Sequence, residues 1–510
     1  MQIAQLWAPT HRRFVMSIPA RTLAFPLLVL LFLSAIPPPA SALLPSGNYV
    51  ILSWNDLGMH CMNQYHANLS VLPPYNNLYA QVIHRGDAYT SPMILTENAT
   101  MEYSIPGNTY SVGKTDFWTY SQHLFGVTLA PNIGLTGKGL SGTLDFLADH
   151  FAAEGVPLTP FTDAAPTVED PYQQALVVLR DIHGTELARS RPVMPVSIEM
   201  SCVSTGCHAS ELAILDHHEG QDEGGFDIAN KPILCAQCHG DPALGATGPG
   251  VAGYFSQRIH EKHAFIDEAI PGMGGCYKCH PGQRARCLRG TMNSDFGMIC
   301  QDCHGDMAQV ADSIDGGRLP WVNEPACRSC HTSTYGEPVG QLFKVSRGHG
   351  GVFCEGCHNS THAEFPSREP RDNQVMIDLQ GQSGTLTDCR VCHGIVPAGP
   401  GPHGVVATGV VENELLGGTE SLDVWPSPLS VGATCSIRLS ETSGLAGRLL
   451  VFDVRGRTIR LLEVRRDKQG EAVASWDGRD GHGQRVGAGV YFLRWSDGER
   501  AASAKVVMVD

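Results

Sequence analysis

The sequence is short of positive charge and, outside its N-terminal region, short of long apolar runs. Its formal net charge is −15, and charged residues make up only 17% of the 510 positions. Binding to nucleic acid requires a basic footprint that neutralises phosphates, so nucleic acid is excluded as an expected partner. Hydrophobic residues make up 42%, a proportion typical of a globular chain. A chain of this length predicts two to four domains.

The single long apolar run lies near the N-terminus. It extends from Leu23 to Ile36, follows Arg21 and precedes the small-residue segment 40–42. This arrangement predicts a signal peptide over residues 1–42, cleaved after Ala42; an uncleaved anchor is the alternative. Cleavage would remove three basic and no acidic residues, which takes the net charge from −15 to −18. We therefore expect an exported protein in the periplasm or, in preference, at the cell surface.

The 17 cysteines are unusually regular in their spacing. Cysteines in an exported chain often form disulfides, but here six segments read Cys-x-x-Cys-His. A seventh segment has the same form with four residues between its cysteines. The motif cysteines are Cys202 and Cys207, Cys235 and Cys238, Cys276 and Cys279, Cys300 and Cys303, Cys327 and Cys330, Cys354 and Cys357, and Cys389 and Cys392. The histidines that follow them are His208, His239, His280, His304, His331, His358 and His393.

This motif is typical of covalent haem attachment. Two thiols add to the vinyl groups of one haem, and the adjacent imidazole ligates the iron. Zinc sites share the paired cysteines, but they do not require a histidine directly after each pair. The sequence therefore predicts seven covalently bound c-type haems, with the wide motif at 202–208 as the least regular site.

The series of motifs resembles the multihaem c-type cytochromes from Cys202 to His393. The resemblance implies electron transfer outside the cytoplasm, often towards the cell surface. With 192 positions for seven haems, we expect the porphyrins to supply the apolar interior. Segments punctuated by Gly and Pro predict short helices and loops around them. No Cys-x-x-Cys-Lys is present, so the lysine-ligated active haem of nitrite-reductase-type enzymes has no counterpart.

Seven further histidines match the number of irons that need a second axial ligand. His260 and His263 are one helical turn apart and are expected to serve neighbouring haems. For each histidine, the alternative is a surface or hydrogen-bonding role, and a methionine could replace one or two of them. The candidate distal ligands are His217, His218, His260, His263, His349, His362 and His403.

Residues 43–200 contain no haem motif, and their alternating apolar stretches predict a mainly β N-terminal domain of unknown role. Its most unusual segment runs from Trp54 to Cys61 and is followed by His66. This segment either provides a metal or haem ligand or forms a buried turn, and we favour the turn. Cys61 and Cys287 are candidates for a disulfide between domains.

The predicted fold is multidomain. An irregular, short-helix heptahaem domain over 201–404 follows the β domain, and a linker over 405–427 leads to an Ig-like β-sandwich over 428–510. Residues 452–457, 476–480 and 487–491 resemble Ig-like C-terminal domains related to the flagellar hook-capping protein and to the sorting domains of type IX secretion substrates. The resemblance implies contact with outer-membrane secretion or surface-anchoring machinery; a plain structural module is the alternative.

Three functions fit these observations. The first is an electron conduit with mostly bis-histidine haems, which transfers electrons to a redox partner protein or an extracellular acceptor and needs no catalytic side chain. The second is a reductase of a small oxidised nitrogen or sulfur compound, with one open iron, for which the motif at 202–208 is the candidate. The third is a subunit of a self-assembling cytochrome filament. We favour the conduit over an enzyme.

Overall fold

The computed structural model describes residues 47–96, 99–200, 202–220, 225–397, 401–404, 422–426, 429–430, 432–439, 447–453, 458–468, 470–496 and 501–509. The chain divides after Pro397 into two compact units. The predicted signal peptide and residues 405–421 of the predicted linker lie outside the described residues. No helix among the described residues is long and apolar enough to cross a membrane.

The N-terminal part of the first unit is built from short strands, twelve in the described residues, with one helix. The strands are Tyr49–Trp54 (β1), His60–Cys61 (β2), Leu69–Ser70 (β3), Asn76–His84 (β4), Met93–Ile94 (β5), Thr100–Ser104 (β6), Ser141–Thr143 (β7), Asp145–Leu147 (β8), His150–Val156 (β9), Leu176–Arg180 (β10), Glu186–Ser190 (β11) and Val196–Ser197 (β12). The helix is Phe117–Phe125 (α1), which ends at Gly126 in the left-handed conformation.

Two antiparallel sheets form this β region. One has the order β1-β4-β9-β8, with β5 paired to β4, and the other has the order β11-β10-β6-β7. Alternate side chains of both sheets are buried in one hydrophobic core, because neighbouring residues of a strand point to opposite faces. Ile51 and Val82 of the first sheet meet Met101 and Val177 of the second there.

The segment that carries the seven motifs consists of short helices, single turns and loops. Its described elements are Glu211–Glu219 (α2), Ile233–Leu234 (β13), Phe255–His263 (α3), Phe265–Ala269 (α4), Met273–Cys276 (α5), Thr291–Ser294 (α6), Cys300–His304 (α7), Met307–Asp315 (α8), Arg328–Tyr335 (α9), Cys354–His358 (α10), Gln374–Gln380 (α11) and Arg390–His393 (α12). Single 3₁₀ turns lie at Ile228–Asn230, Cys235–Gln237, Pro242–Leu244, Phe343–Val345, His349–Gly351 and Pro370–Asn373.

This segment contributes little to the apolar cores of the protein. Among the described residues from 202 to 350, only Ala285 and the half-buried Cys287 belong to the hydrophobic clusters. Its other buried apolar side chains, such as Ile266 and Ile314, lie outside these clusters.

The β region and the end of the motif segment share a second hydrophobic core. Val50 and Ile83 of the β region pack there against Val375, Leu379 and Val391. Ion pairs lie along the same junction, from Arg347 to Asp149, from Arg371 to Asp170 and from Arg191 to Asp378. The two parts are consequently joined in one unit.

The second unit contains a further pair of sheets. Its described strands are Leu422–Trp425 (β14), Leu429–Ser430 (β15), Cys435–Leu439 (β16), Arg448–Asp453 (β17), Thr458–Leu462 (β18), Arg465–Arg466 (β19), Ala472–Trp476 (β20), Gly489–Ser496 (β21) and Ala501–Val509 (β22). The sheet orders are β14-β16-β20-β19 and β15-β22-β21-β17-β18. Ile437 and Trp476 of one sheet share a core with Leu449 and Trp495 of the other. The strand β14 begins before the predicted boundary at residue 428.

Candidate functional site

Each Cys-x-x-Cys-His motif forms one helical turn. In four of the motifs the amide of the histidine donates to the carbonyl of the first cysteine, with N···O distances from 2.8 to 3.1 Å. In the other two, the motif is itself a helix, Cys300–His304 and Cys354–His358. A single turn brings residues i, i+3 and i+4 to one face. Two thiols and one imidazole therefore project together from every one of these motifs.

The wide first motif closes the same kind of turn in spite of its two additional residues. The amide of His208 donates to the carbonyl of Cys202 at 3.1 Å, as in the shorter motifs. Gly206 has φ +79°, a left-handed conformation that glycine adopts without strain. The additional residues are thus accommodated between the cysteines, and the relation of the first cysteine to the histidine is kept.

Five of the seven motif histidines face one of the seven additional histidines. The distances between ring centroids are 6.3 Å for His208 and His263, 6.2 Å for His239 and His218, 6.0 Å for His280 and His260, 6.1 Å for His304 and His362, and 6.0 Å for His393 and His349. Each pair therefore joins one motif histidine to one predicted distal ligand.

The spacing of these pairs fits one metal ion between two imidazoles. A metal–nitrogen bond to histidine is about 2.0 Å long, and the ring centroid lies roughly 1.1 Å behind the nitrogen. Two imidazoles on opposite sides of one iron would therefore have centroids about 6.2 Å apart. The five observed distances lie between 6.0 and 6.3 Å. The donor set consequently fits a haem iron with two histidine ligands.

Three of the predicted distal histidines are oriented by a backbone carbonyl. The Nδ1 atoms of His260 and His263 lie 2.7 and 2.9 Å from carbonyl oxygens of the preceding helical turn, and Nδ1 of His362 lies 3.0 Å from the carbonyl oxygen of Leu57. A carbonyl oxygen only accepts, so Nδ1 carries a proton in all three rings, and Nε2 keeps its lone pair whenever such a ring is neutral. Metal-ligating histidines use this arrangement to fix their tautomer.

Burial sets the protonation of several motif imidazoles. It lowers the pKa of His280 and of His304 to about 4, so both rings are neutral near neutral pH, the form that ligates a metal. His362 differs, because its electrostatic interaction and hydrogen bond with the nearby Cys287 raise the pKa of His362 to about 9 against the effect of burial. Ligation by His362 would therefore release a proton.

The remaining four candidate ligands lie on three helices and one 3₁₀ turn. His217 is exposed on α2, beside His218, and His403 lies in the 3₁₀ turn Pro402–Gly404 of the second unit. His331 is exposed on α9. His358 ends α10. The described residues contain no group of three or more His, Cys, Asp or Glu side chains able to hold a metal ion.

The motifs form a spatial series whose order differs from that in the sequence. Cys202 lies within electrostatic range of both Cys235 and Cys279, so the first motif stands between the second and the third. The thiols of Cys276 and Cys300 contact each other, which places the third motif beside the fourth.

The series continues through the later motifs. Cys303 lies close to Cys330, and Cys357 lies close to Cys392. Glu337 interacts with both Cys327 and Cys354, so the fifth and sixth motifs share a neighbour. By their first cysteines, the motifs at 235, 202, 276, 300 and 327 are therefore neighbours in that order. The motifs at 354 and 389 are neighbours of each other, and Glu337 lies near both groups.

The unusual segment of the β region forms a buried turn, as favoured from the sequence. Nε2 of His60 lies 3.0 Å from Asp56, and the ring of His66 packs against Phe117. Cys61 and Cys287 are free thiols, so the expected disulfide is not formed. The sequence analysis missed the carbonyl of Leu57, since a backbone group that contacts His362 from 305 residues away leaves no signal in the pattern.

Neither a protein-family model nor a curated protein matches the chain. Solved structures match parts of it. PorZ, a surface component of the type IX secretion system of Porphyromonas gingivalis, is 19% identical over 18% of this chain and 11% of its own, with a TM-score of 0.14. CopC from Methylosinus trichosporium OB3b is 13% identical over 18% of this chain and 90% of its own, with a TM-score of 0.14. The Ig1 domain of mouse SynCAM 2 is 12% identical over 17% of this chain and 92% of its own, with a TM-score of 0.13.

Proposed function

We propose that this chain is an exported seven-haem c-type cytochrome that carries electrons to a redox partner or an extracellular acceptor. The observation that carries the proposal is the pairing of five motif histidines with five additional histidines at centroid distances of 6.0–6.3 Å. A zinc site built on Cys-x-x-Cys does not require a second histidine opposite each motif histidine, whereas a haem iron with two histidine ligands does.

The protein's residues would hold and orient the cofactors. The paired thiols of each motif would form the thioether bonds, and the motif histidine and the histidine that faces it would both ligate the iron. In His260, His263 and His362 the hydrogen bond from Nδ1 to a carbonyl leaves Nε2 as the ligating nitrogen. When bound, each haem supplies one-electron chemistry through its iron.

The spatial series of motifs supports conduction rather than isolated sites. One helix, α3, places His260 opposite His280 and His263 opposite His208, so it links two neighbouring motifs. The contact between Cys276 and Cys300 links the next pair. A continuous series of neighbouring redox sites is what stepwise electron transfer along the chain requires.

The second unit would serve export to the cell surface. We propose that its two sheets form an Ig-like sandwich that acts as a sorting domain, since both sheets bury their side chains in one core. The support is the sequence resemblance of residues 476–480 and 487–491. Residues 454–457 of the same resemblance lie outside the described residues.

His263 lies opposite His208, and this argues against a reductase whose open iron is at the motif 202–208. That alternative assigned the open iron to the wide motif at 202–208, and the structure brings a candidate second ligand to this motif. No specific observation favours the filament.

The test is a haem count by pyridine haemochrome with electron paramagnetic resonance of the purified, oxidised protein. We expect seven haems with low-spin signals from the paired irons, and a change of one of the seven to high-spin in His263→Ala. The control is His183→Ala, an exposed histidine outside the motif segment, which should leave both measurements unchanged. A protein that purifies without covalent haem would contradict the proposal.

A further inference from the structure

The turn Asn55–Gly58 of the β region contacts the predicted distal ligand His362. The carbonyl oxygen of Leu57 accepts a hydrogen bond from Nδ1 of His362 at 3.0 Å. For His260 and His263 the accepting carbonyl belongs to their own helix. The orientation of His362 alone among these three histidines depends on a distant part of the chain.

Asn55 builds this turn. Its Oδ1 accepts from the amides of Leu57 at 3.3 Å and Gly58 at 3.0 Å, the local arrangement that Asn favours in turns. Its Nδ2 donates to Oδ1 of Asn76 and to the carbonyl of Asn77 on β4, at 2.8 and 2.7 Å. Asn55 is 3% exposed. The Leu57 carbonyl is thereby held at a fixed position relative to the sheet.

Gly58 allows the turn to approach His362 closely. It has φ +73°, and a Cβ built on it would lie 2.8 Å from Oγ of Ser360 and 3.2 Å from Cβ of His362. Any other residue would be strained and would press on the ligand.

The backbone at His362 is fixed from the other side. Its carbonyl accepts from the amides of Arg289 and Gly290 at 2.8 and 3.0 Å. The guanidinium of Arg289 donates to the carbonyl of Gly58 and forms a buried ion pair with Asp372. The turn and the ligand are therefore held by the same arginine.

We infer that Asn55 and Gly58 are positioning residues for the axial ligand His362, so that the β region controls the electronic state of the haem attached to Cys300 and Cys303. This inference rests on the proposed function. A hydrogen bond from the second ring nitrogen fixes the tautomer of a ligating histidine and raises its basicity, and such hydrogen bonds are among the means by which a protein tunes haem iron. The β region would thus set the properties of the fourth site in the spatial series.

The experiment compares three variants of the full chain by haem count, electron paramagnetic resonance and thermal unfolding. Asn55→Ala removes the acceptor for both amides. Asn55→Asp keeps an acceptor oxygen but loses the amide donor. The matched control is Asn63→Ala, since Asn63 is a buried asparagine of the same region that accepts from the amides of Val71 and Leu72.

For Asn55→Ala we expect seven haems, because the thioether bonds do not depend on His362, and a shifted or high-spin signal from one haem in seven. Asn55→Asp should keep the wild-type signal at a comparable loss of thermal stability, and Asn63→Ala should lose stability without any spectral change. A wild-type spectrum in Asn55→Ala, or the same spectral change in Asn63→Ala, would overturn the inference.

If Asn55→Ala does not accumulate, Gly58→Ala tests the same link, since it keeps the Asn55 contacts and presses directly on His362. A wild-type spectrum in that variant would equally overturn the inference. Absence of haem from the wild-type protein is a different result, because it would contradict the proposed function itself.

Discussion

At the scale of single residues, the wide motif at 202–208 provides the most direct test of haem attachment. The turn from Cys202 to His208 closes with the same hydrogen bond as the shorter motifs, so we expect it to hold a haem as they do. Replacement of both Cys202 and Cys207 by serine should reduce the ratio of haem to protein from seven to six in the pyridine haemochrome assay, because both thioether bonds to that haem are lost.

The matched control for this substitution is Cys435→Ser. Cys435 is a buried thiol of β16, outside every motif, and its replacement should leave seven haems. If the variant without Cys202 and Cys207 also retains seven haems, the wide motif is not a haem site.

Histidine pairing is the part of the site that sequence reasoning described least well. The number and identity of the candidate distal histidines followed from a count, but their pairing with individual motif histidines did not. His263 faces His208, which lies 55 positions earlier in the sequence, whereas His260 faces His280, which lies 20 positions later. Two residues one helical turn apart point to different motifs, and only packing decides which.

At the scale of elements, the hairpin β8–β9 and the motif segment are joined in part by an ion pair. Asp149 accepts two hydrogen bonds from Arg347 at 2.9 and 3.0 Å. Burial acts to raise the pKa of Asp149, but the hydrogen bonds from Arg347 and His150 outweigh it and leave the pKa of Asp149 below its ordinary value.

This lowered pKa predicts an acid-sensitive contribution to stability. A carboxylate with a lower pKa in the folded than in the unfolded state stabilises the fold above its unfolded pKa, about 3.9, and the contribution is lost as pH falls through the folded value. The difference in melting temperature between wild type and Asp149→Asn should therefore be largest near pH 6 and shrink below about pH 4.

Asp145→Asn is the control for this prediction, since Asp145 lies on the neighbouring strand β8 and its side chain is 65% exposed. Surface ion pairs contribute about 0–1 kcal/mol, so we expect a small effect of Asp145→Asn. A difference for Asp149→Asn that stays constant from pH 6 to pH 3 would contradict the assigned role of the carboxylate.

The elements themselves were predicted unevenly. The β-rich N-terminal region and the short helices of the motif segment followed from alternation and from the frequent Gly and Pro. Pairings across long distances did not, such as β13 in the motif segment with β3 in the β region. A strand of two residues has no periodicity to recognise, so its partner is decided by tertiary packing.

At the scale of the whole molecule, the two units make separable contributions to the proposed function. All seven motifs lie in the unit that ends at Pro397. Deletion of residues 422–510, which removes β14 with the rest of the two sheets, should therefore leave the haem count at seven while the protein stays in the periplasm, as measured by fractionation and by protease treatment of intact cells. Equal surface exposure of the full-length and shortened proteins would rule out the sorting role.

The positions of the motifs, and the placement of two thiols and an imidazole on a single turn, were determined by the sequence alone. Covalent attachment of a haem needs only a few neighbouring residues, so its signal is local and survives without any knowledge of the fold. The spatial order of the motifs, the choice of distal histidine and the contact between Leu57 and His362 were decided by the tertiary structure. These features join residues as far as 305 positions apart, and the free energy that selects them comes from packing and buried hydrogen bonds rather than from local spacing.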